Sequence, residues 1–182
     1  PFTRNAAGIN AFSMGGVNAF DDLTYFALGG SSLESELSFR LFKAPVQTND
    51  LGITTKLKAS DRLAFAINAA YDMGPELGGF KTSDMLVGLG ASFNVNDMLS
   101  VGVTGRYASS SLAKDCSLSG FGADVLATSL LGPVKVTAGV RNLGTKVNGA
   151  PMPASISAGA VYELEMAEDS QMTLACDMDY FF

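Results

Sequence analysis

The sequence predicts an all-β fold, an antiparallel transmembrane β-barrel, on three observations. From Glu34 onward, apolar and polar residues alternate with period two in nine successive segments, as strands with two unlike faces require. The connections alternate short and long, the arrangement of outer-membrane barrels with short periplasmic turns. The polar face is built from Gly, Ser, Thr and Asn with few charges, whereas a solvated face of a soluble sheet carries far more Lys and Glu.

Residues 1–33 stand apart from the strand region, residues 34–182. Small, Gly-rich sequence (Asn5 to Gly16) leads to Asp21-Asp22, an apolar run from Leu23 to Leu28, and Gly29-Gly30-Ser31-Ser32. The segment reads as a first strand, a plug folded into the barrel lumen, or a loosely ordered N-terminus. Small residues suit close backbone approach inside a barrel.

The nine segments then follow in order. Leu37, Phe39 and Leu41 alternate with Ser38 and Arg40. Leu51, Ile53 and Leu57 alternate with Thr54, Lys56 and Lys58. Leu63, Phe65, Ile67 and Tyr71 alternate with Ala64, Asn68 and Asp72. Met85, Val87, Leu89, Phe93 and Val95 alternate with Gly88, Ser92 and Asn94. Leu99, Val101, Val103 and Tyr107 alternate with Ser100, Thr104 and Arg106. Phe121, Ala123 and Val125 alternate with Gly122, Asp124 and Thr128. Val134, Val136 and Val140 alternate with Lys135, Thr137 and Arg141. Ile156, Ala158 and Tyr162 alternate with Ser157, Gly159 and Glu163. Met172, Leu174, Met178 and Tyr180 alternate with Thr173, Asp177 and Asp179. Each segment runs about 8–12 residues, the length of a tilted strand crossing a bilayer.

Short turns are expected at Ser60-Asp61, Asn96-Asp97, Leu131-Gly132-Pro133 and Ala167-Glu168-Asp169. Their centres fall about 36 residues apart, a regular hairpin period without a recurring residue signature. Longer loops are expected near 43–50, 73–83, 109–118 and 143–153, where Gly, Pro, Ser and Asn collect. A soluble antiparallel sandwich also alternates and turns frequently. Strand length beyond the usual five or six residues favours the barrel.

Composition removes other classes. Hydrophobic residues make up 47% and charged residues 16%, and mean hydropathy is +0.23. Yet no apolar run is long enough for a membrane-crossing helix. With no His and two Cys, composition argues against a zinc or haem site and excludes a His-activated nucleophile; no cofactor or metal is expected, and the expectation of a non-enzymatic role comes with the motifs and hairpin period. A net charge of −6 makes nucleic acid a poor partner. Cys116 and Cys176 read as unlinked thiols. The start Pro1-Phe2-Thr3-Arg4 carries neither an initiator Met nor an apolar signal segment, as in a processed, exported chain.

Arg106, Asp124 and Arg141 fall on the polar face of three consecutive strands. Each lies about eight residues from the short turn of its hairpin, so all three should point into the lumen at similar height. Confined charges find partners. This lumen-facing charge cluster is the candidate site, either as a bracing salt-bridge network or as a polar constriction that selects what passes. The strict period also sets faces. Phe65, Val87, Phe93, Val101, Val103, Val136 and Ile156 should face lipid; Asn68, Ser92 and Thr104 should face inward with the cluster.

Several motifs carry a resemblance. "AFSMGGVNAFDD" (Ala11 to Asp22) resembles the start of mature barrels of the PorV/PorQ type, within the FadL-like outer-membrane superfamily of Bacteroidetes. "GGFKTSDMLVGLGASFNVNDMLSVGVTGRYASSSLA" (Gly78 to Ala113) is similar to that family's strand–turn–strand block. "GFGADVLA" (Gly120 to Ala127) and "GVRNLGTKV" followed by "PMPASISAGAVYEL" resemble later blocks in the same order. The family's usual Asn-Pro after Asp-Asp is replaced by Leu23-Thr24. The resemblance implies a FadL-like barrel of up to 14 strands, of which this chain holds about nine or ten; a complete barrel of eight or ten strands is the alternative. It implies residence in the outer membrane of a Gram-negative bacterium. The implied role is docking or accessory work in type IX protein secretion and surface attachment. The implied partners are outer-membrane lipid or lipopolysaccharide and other outer-membrane or secretion-machinery proteins. FadL itself passes long-chain fatty acids, so a channel for small hydrophobic molecules is the alternative function.

Overall fold

Alternation of this kind yields a sheet only if each strand finds partners for its backbone N–H and C=O groups. In the computed structural model, nine strands do so in one antiparallel sheet. The structure describes residues 23–42, 48–77, 79–113, 116–147, 150–151, 154–167 and 170–182. The expected motif from Ala11 to Asp22 therefore lies outside the described residues.

The strands are β1 (Leu33–Phe42), β2 (Thr48–Ser60), β3 (Leu63–Leu77), β4 (Phe80–Asn96), β5 (Leu99–Ala113), β6 (Cys116–Leu131) and β7 (Val134–Gly144). A two-stranded ladder of β8 (Lys146–Val147) and β9 (Ala150–Pro151) interrupts the series before β10 (Ser155–Ala167) and β11 (Ser170–Phe181). Neighbours in the large sheet are neighbours in sequence, in the order β1 through β7, then β10 and β11. Among the described residues β1 and β11 are edges, so the sheet is open.

The expected loops at 73–83 and 109–118 are corrected. β3 and β4 stay paired to Leu77 and Phe80, and β5 and β6 to Ala113 and Cys116. Composition there looks loop-like, but each added residue pair gains ladder hydrogen bonds that a loop would forgo. The register slips between Met73 and Glu76, where Gly74-Pro75 sits. Proline has no N–H to donate, so the ladder steps around it as a bulge.

Leu23–Leu28 is also corrected as a strand: it is a six-residue helix, α1. Leu23, Phe26 and Ala27 are buried with Ala64 of β3, and Ala66 packs against them. The seat is made by missing side chains. A Cβ on Gly90 would come within 2.9 Å of Leu23 Cδ2, and one on Gly102 within 2.7 Å of Thr24 Cγ2. The C-terminal carbonyls of α1, which have no intrahelical donors, accept from the sheet. Asn94 Nδ2 donates to Ala27 O at 3.0 Å, and Lys58 Nζ donates to Gly29 O.

These contacts reach from β2 (Lys58) to β10, where Tyr25 donates its hydroxyl to Glu163. In a flat sheet those strands would lie about 29 Å apart, more than twice the roughly 10–12 Å diameter of a helix. The sheet therefore curls around α1, near the short-turn end of the hairpins.

The two faces are sorted inside out. Away from α1 the outward side chains are apolar and exposed: Leu37, Ile53, Ile67, Leu89, Val103 and Phe121 are each more than half exposed. The face toward α1 buries polar groups, among them Lys56, Ser92, Ser100, Thr128 and Thr137. A sandwich would bury the apolar face against a second sheet. Among the described residues no sheet packs there, and the apolar face is open.

Gly139 tests the packing of the inner face. A Cβ there would press on Val125 O and lie 2.8 Å from Leu126 Cα, both backbone, whereas Gly105 has open space. Gly139→Ala is predicted to cost about 1–3 kcal/mol through overpacking. Gly105→Ala should be neutral or slightly stabilising, as Gly in a strand is entropically costly. Guanidinium unfolding midpoints in detergent micelles measure both.

Candidate functional site

Strand register brings the three charges together. Gly122 of β6 stands opposite Arg106 of β5, and Asp124 opposite Thr104, so Asp124 is one inward step from Arg106. On its other side β6 pairs with β7, and the register slips between Ala123 and Val125. The slip is a bulge at Arg141-Asn142. Asn142 takes the left-handed conformation, φ 58°, which Asn tolerates better than most residues.

The bulge aims two donors at one carboxylate. Arg106 Nη2 donates to Asp124, forming an ion pair with both residues buried. Asn142 N donates to Asp124 Oδ1 at 2.8 Å. Arg141 Nη1 lies 4.0 Å from Asp124 Oδ2, also buried. Asp124 is thus the hub, and each arginine is held from one side. Sequence reasoning placed the three side chains on one face but missed Asn142; the signal was the Asn in "RNLG", a residue type suited to a left-handed bulge.

Asp124 lies four residues from Thr128, about 13 Å farther from the short turns. Thr128 belongs to the layer that seats α1. Its Oγ1 is 2.6 Å from both Thr24 Oγ1 and Thr137 Oγ1, so one hydroxyl chain runs from the helix across β6 to β7. A second contact of α1 is charged. Lys135 Nζ sits 4.0 Å above the Tyr25 ring and 3.2 Å from Glu163 Oε2. Burial, reinforced by the Glu163 carboxylate, raises the Tyr25 phenol above its ordinary pKa, so it stays a donor.

Farther toward the other end, Asp50, Asp72 and Asp84 are successive cross-strand partners on β2, β3 and β4. Ser110 of β5 donates to Asp84. This acidic row was not foreseen; it becomes visible only when register aligns three separate segments. Asp177 and Asp179 join Arg141, Thr137 and Ser157 in lining a small cavity between β7, β10 and β11.

All predicted face assignments fall as follows. Phe65, Val87, Phe93, Val101, Val103 and Ile156 are exposed on the outward face, and Val136 is half-buried on it. Ser92, Arg106, Asp124 and Arg141 are buried on the inward face, with Asn68 and Thr104 half-buried there. Cys116 and Cys176 are free and exposed.

No protein-family model and no curated protein matches the sequence.

What the cluster does chemically follows from its burial. A carboxylate between two guanidiniums, with a backbone donor on its remaining lone pairs, is a brace across β5, β6 and β7. Removing the hub takes the shared carboxylate from two buried cations. Asp124→Ala is predicted to cost about 3–5 kcal/mol, and replacing all three residues together by Met or Leu to recover most of that loss. Guanidinium midpoints of the two variants decide; a loss under about 1 kcal/mol for Asp124→Ala would mean that the cluster is solvated and not a brace.

Proposed function

We propose that this chain is a β-barrel protein of the outer membrane, of PorV/PorQ type, and a non-enzymatic docking or accessory component of type IX protein secretion and surface attachment. One observation carries the membrane part. Through the paired registers, no outward position holds Asp, Glu, Lys or Arg apart from Glu76 and Lys81 at the β3–β4 hairpin end, whereas the charged strand residues line the inward face. An exposed apolar face across nine strands far exceeds the few hundred Å² that a soluble monomer shows. Lipid is the solvent in which that face is stable.

Strand dimensions support the same reading. On β4 the outward apolar residues run from Met85 to Val95, about 33 Å of strand. Tilted by about 40°, that length matches an apolar band of about 25 Å. Outward aromatics lie toward one end of the strands, Phe39 in the β1–β2 pair and Tyr71, Tyr107 and Phe121 toward the tips of the β3–β4 and β5–β6 hairpins, with the Tyr107 and Phe121 ring centroids 5.0 Å apart. Aromatic girdles mark the membrane interface in such barrels. Outer-membrane lipid or lipopolysaccharide would contact this face.

The secretion role rests on the ordered motif resemblance and on the interior. α1 and the braced charges occupy the inward face, and the cavity there is lined mainly by polar and small residues. The polar and small residues of the described inward face offer little to an acyl chain, so docking is favoured over a channel for small hydrophobic molecules. Affinity purification from native outer membrane in mild detergent should recover secretion-machinery or surface proteins. Recovery of the chain alone contradicts the role.

Face chemistry gives a sharper expectation. Val101→Arg would place a cation on the lipid side at a cost of about 2–4 kcal/mol near the midplane, and should impair membrane assembly. Thr104→Arg, on the inward face three residues on, should assemble. Heat-modifiable gel migration reads folded barrel in each; equal folding of the two variants contradicts the face assignment on β5.

A further inference from the structure

Three rows of inward residues meet where β7, β10 and β11 pair. Register sets Arg141 and Phe181 on either side of Ser155, Gly139 and Asp179 on either side of Ser157, and Thr137 and Asp177 on either side of Gly159. The middle strand therefore contributes only small residues between two walls that carry larger ones. Two strand spacings set the walls about 10 Å apart, and the trough runs about 13 Å along β10. The hollow in its lower two rows holds about 200 Å³, counting its open mouth. That is below the roughly 300–1,000 Å³ of a drug-sized pocket, and leaves room for one ring-sized solute.

The walls combine both kinds of hydrogen-bonding group. Thr137, Arg141 and Ser157 are buried, while Asp177 and Asp179 keep access to solvent. All five are engaged. Thr137 Oγ1 is 2.6 Å from Thr128 Oγ1, Arg141 lies beside Asp124, Ser157 donates to Asp179, and Asp177 has an interaction of its own. These contacts hold the side chains in place without exhausting them: a carboxylate offers about four lone-pair sites and a guanidinium five N–H donors. Acceptors thus stand on the β11 wall and a strong donor on the β7 wall, with the Ser157 hydroxyl between.

Phe181 adds apolar surface at the end of the trough. Strand alternation puts it on the same side as Asp177 and Asp179, one inward step beyond Asp179, and it is 52% exposed. Lipid contact does not account for this ring, because the lipid-facing side chains of β11 are the even-numbered ones, Met172 to Tyr180. On the polar side an uncovered ring forgoes the gain of burial, and a ligand with an apolar face recovers it.

We infer that this trough binds the ring of a neutral sugar. A pyranose carries hydroxyls that donate and accept around its rim, and a patch of C–H on one face. Its hydroxyls donate to Asp177 and Asp179 and accept from Arg141 and Ser157, while the C–H face lies on the Phe181 ring. Charge disfavours the ionic relatives: a sugar acid meets two carboxylates, and an amino sugar meets the Arg141 guanidinium. Ser155 and Phe181 are the end residues of β10 and β11, so the trough opens away from the short turns. On the membrane reading above, that mouth faces the cell exterior, where the sugar is either free in solution or part of a surface glycan.

The test is saturation-transfer-difference NMR on the whole chain in phosphocholine micelles, which carry no sugar headgroup. The probes are glucose, galactose, mannose, glucosamine, glucuronate, and delipidated polysaccharide from the outer membrane of the cell that makes the protein. A neutral hexose, or the polysaccharide, should receive saturation most strongly at the C–H protons of one ring face. Binding of a free hexose supports the inference with a soluble source, and binding of the polysaccharide alone supports it with a surface-glycan source. Asp179→Asn and Phe181→Leu should each weaken binding roughly fivefold or more, with heat-modifiable migration reporting that both variants fold. In the unsubstituted protein, sugar-induced amide shifts should centre on Ser157, Asp177 and Asp179, a readout that needs no variant. Four results overturn the inference: no neutral probe binds, glucosamine or glucuronate binds in preference, both folded variants bind undiminished, or the shifts lie elsewhere. None of these bears on the secretion role, which is read from the partners recovered, or on the membrane assignment, which is read from the need for detergent.

Discussion

A β-strand presents every second side chain to the same side, and in this chain that rule separates charge from hydrocarbon. Shifting a strand by one residue would exchange Arg106 with Gly105 or Tyr107, and Asp124 with Ala123 or Val125. A guanidinium would then meet the apolar side, and an apolar side chain the polar interior. The register is therefore held by two penalties at once. That double constraint keeps the nine strands in a single unbroken order, with irregularities confined to hairpin ends and the bulge at Asn142.

What replaces a conventional core is a polar interior organised in layers. Nearest the short turns, α1 covers Gly90 and Gly102 and joins a chain of threonine hydroxyls. Farther along, Asp124 ties β5 to β7 through Arg106 and the Asn142 backbone. Cohesion then comes from the hydrogen-bond ladder and closed polar contacts. Such an interior is specific because each buried group needs its own partner. Among the described residues, Leu23, Phe26, Ala27 and Ala64 form a small buried hydrophobic cluster.

Much of this was legible in the sequence because alternation and turn spacing are local. The nine paired segments, the short turns and the shared face of Arg106, Asp124 and Arg141 all follow from counting by twos. Other features depend on partners that a linear reading cannot supply. Leu23–Leu28 is too short to display a helical period, and an apolar run of six is equally a strand until its neighbours are known. The extensions of β3–β6 past Met73 and Ser109 look like loops, since Ser, Gly and Pro dominate there; pairing decides otherwise. The hub role of Asp124 needed the bulge at Asn142, and the acidic row at Asp50, Asp72 and Asp84 needed the register of three strands. Among the described residues β1 and β11 are the edges of an open sheet.

The central claim is that the odd-numbered face of β4 meets lipid and the even-numbered face does not. Paramagnetic broadening of side-chain NMR signals by a lipid-soluble spin probe, with the protein in bilayer nanodiscs, tests it residue by residue. The account predicts strong broadening at Val87, Leu89, Phe93 and Val95, and sharp signals at Leu86, Ser92 and Asn94. Equal broadening on both faces, or the reverse alternation, would contradict it.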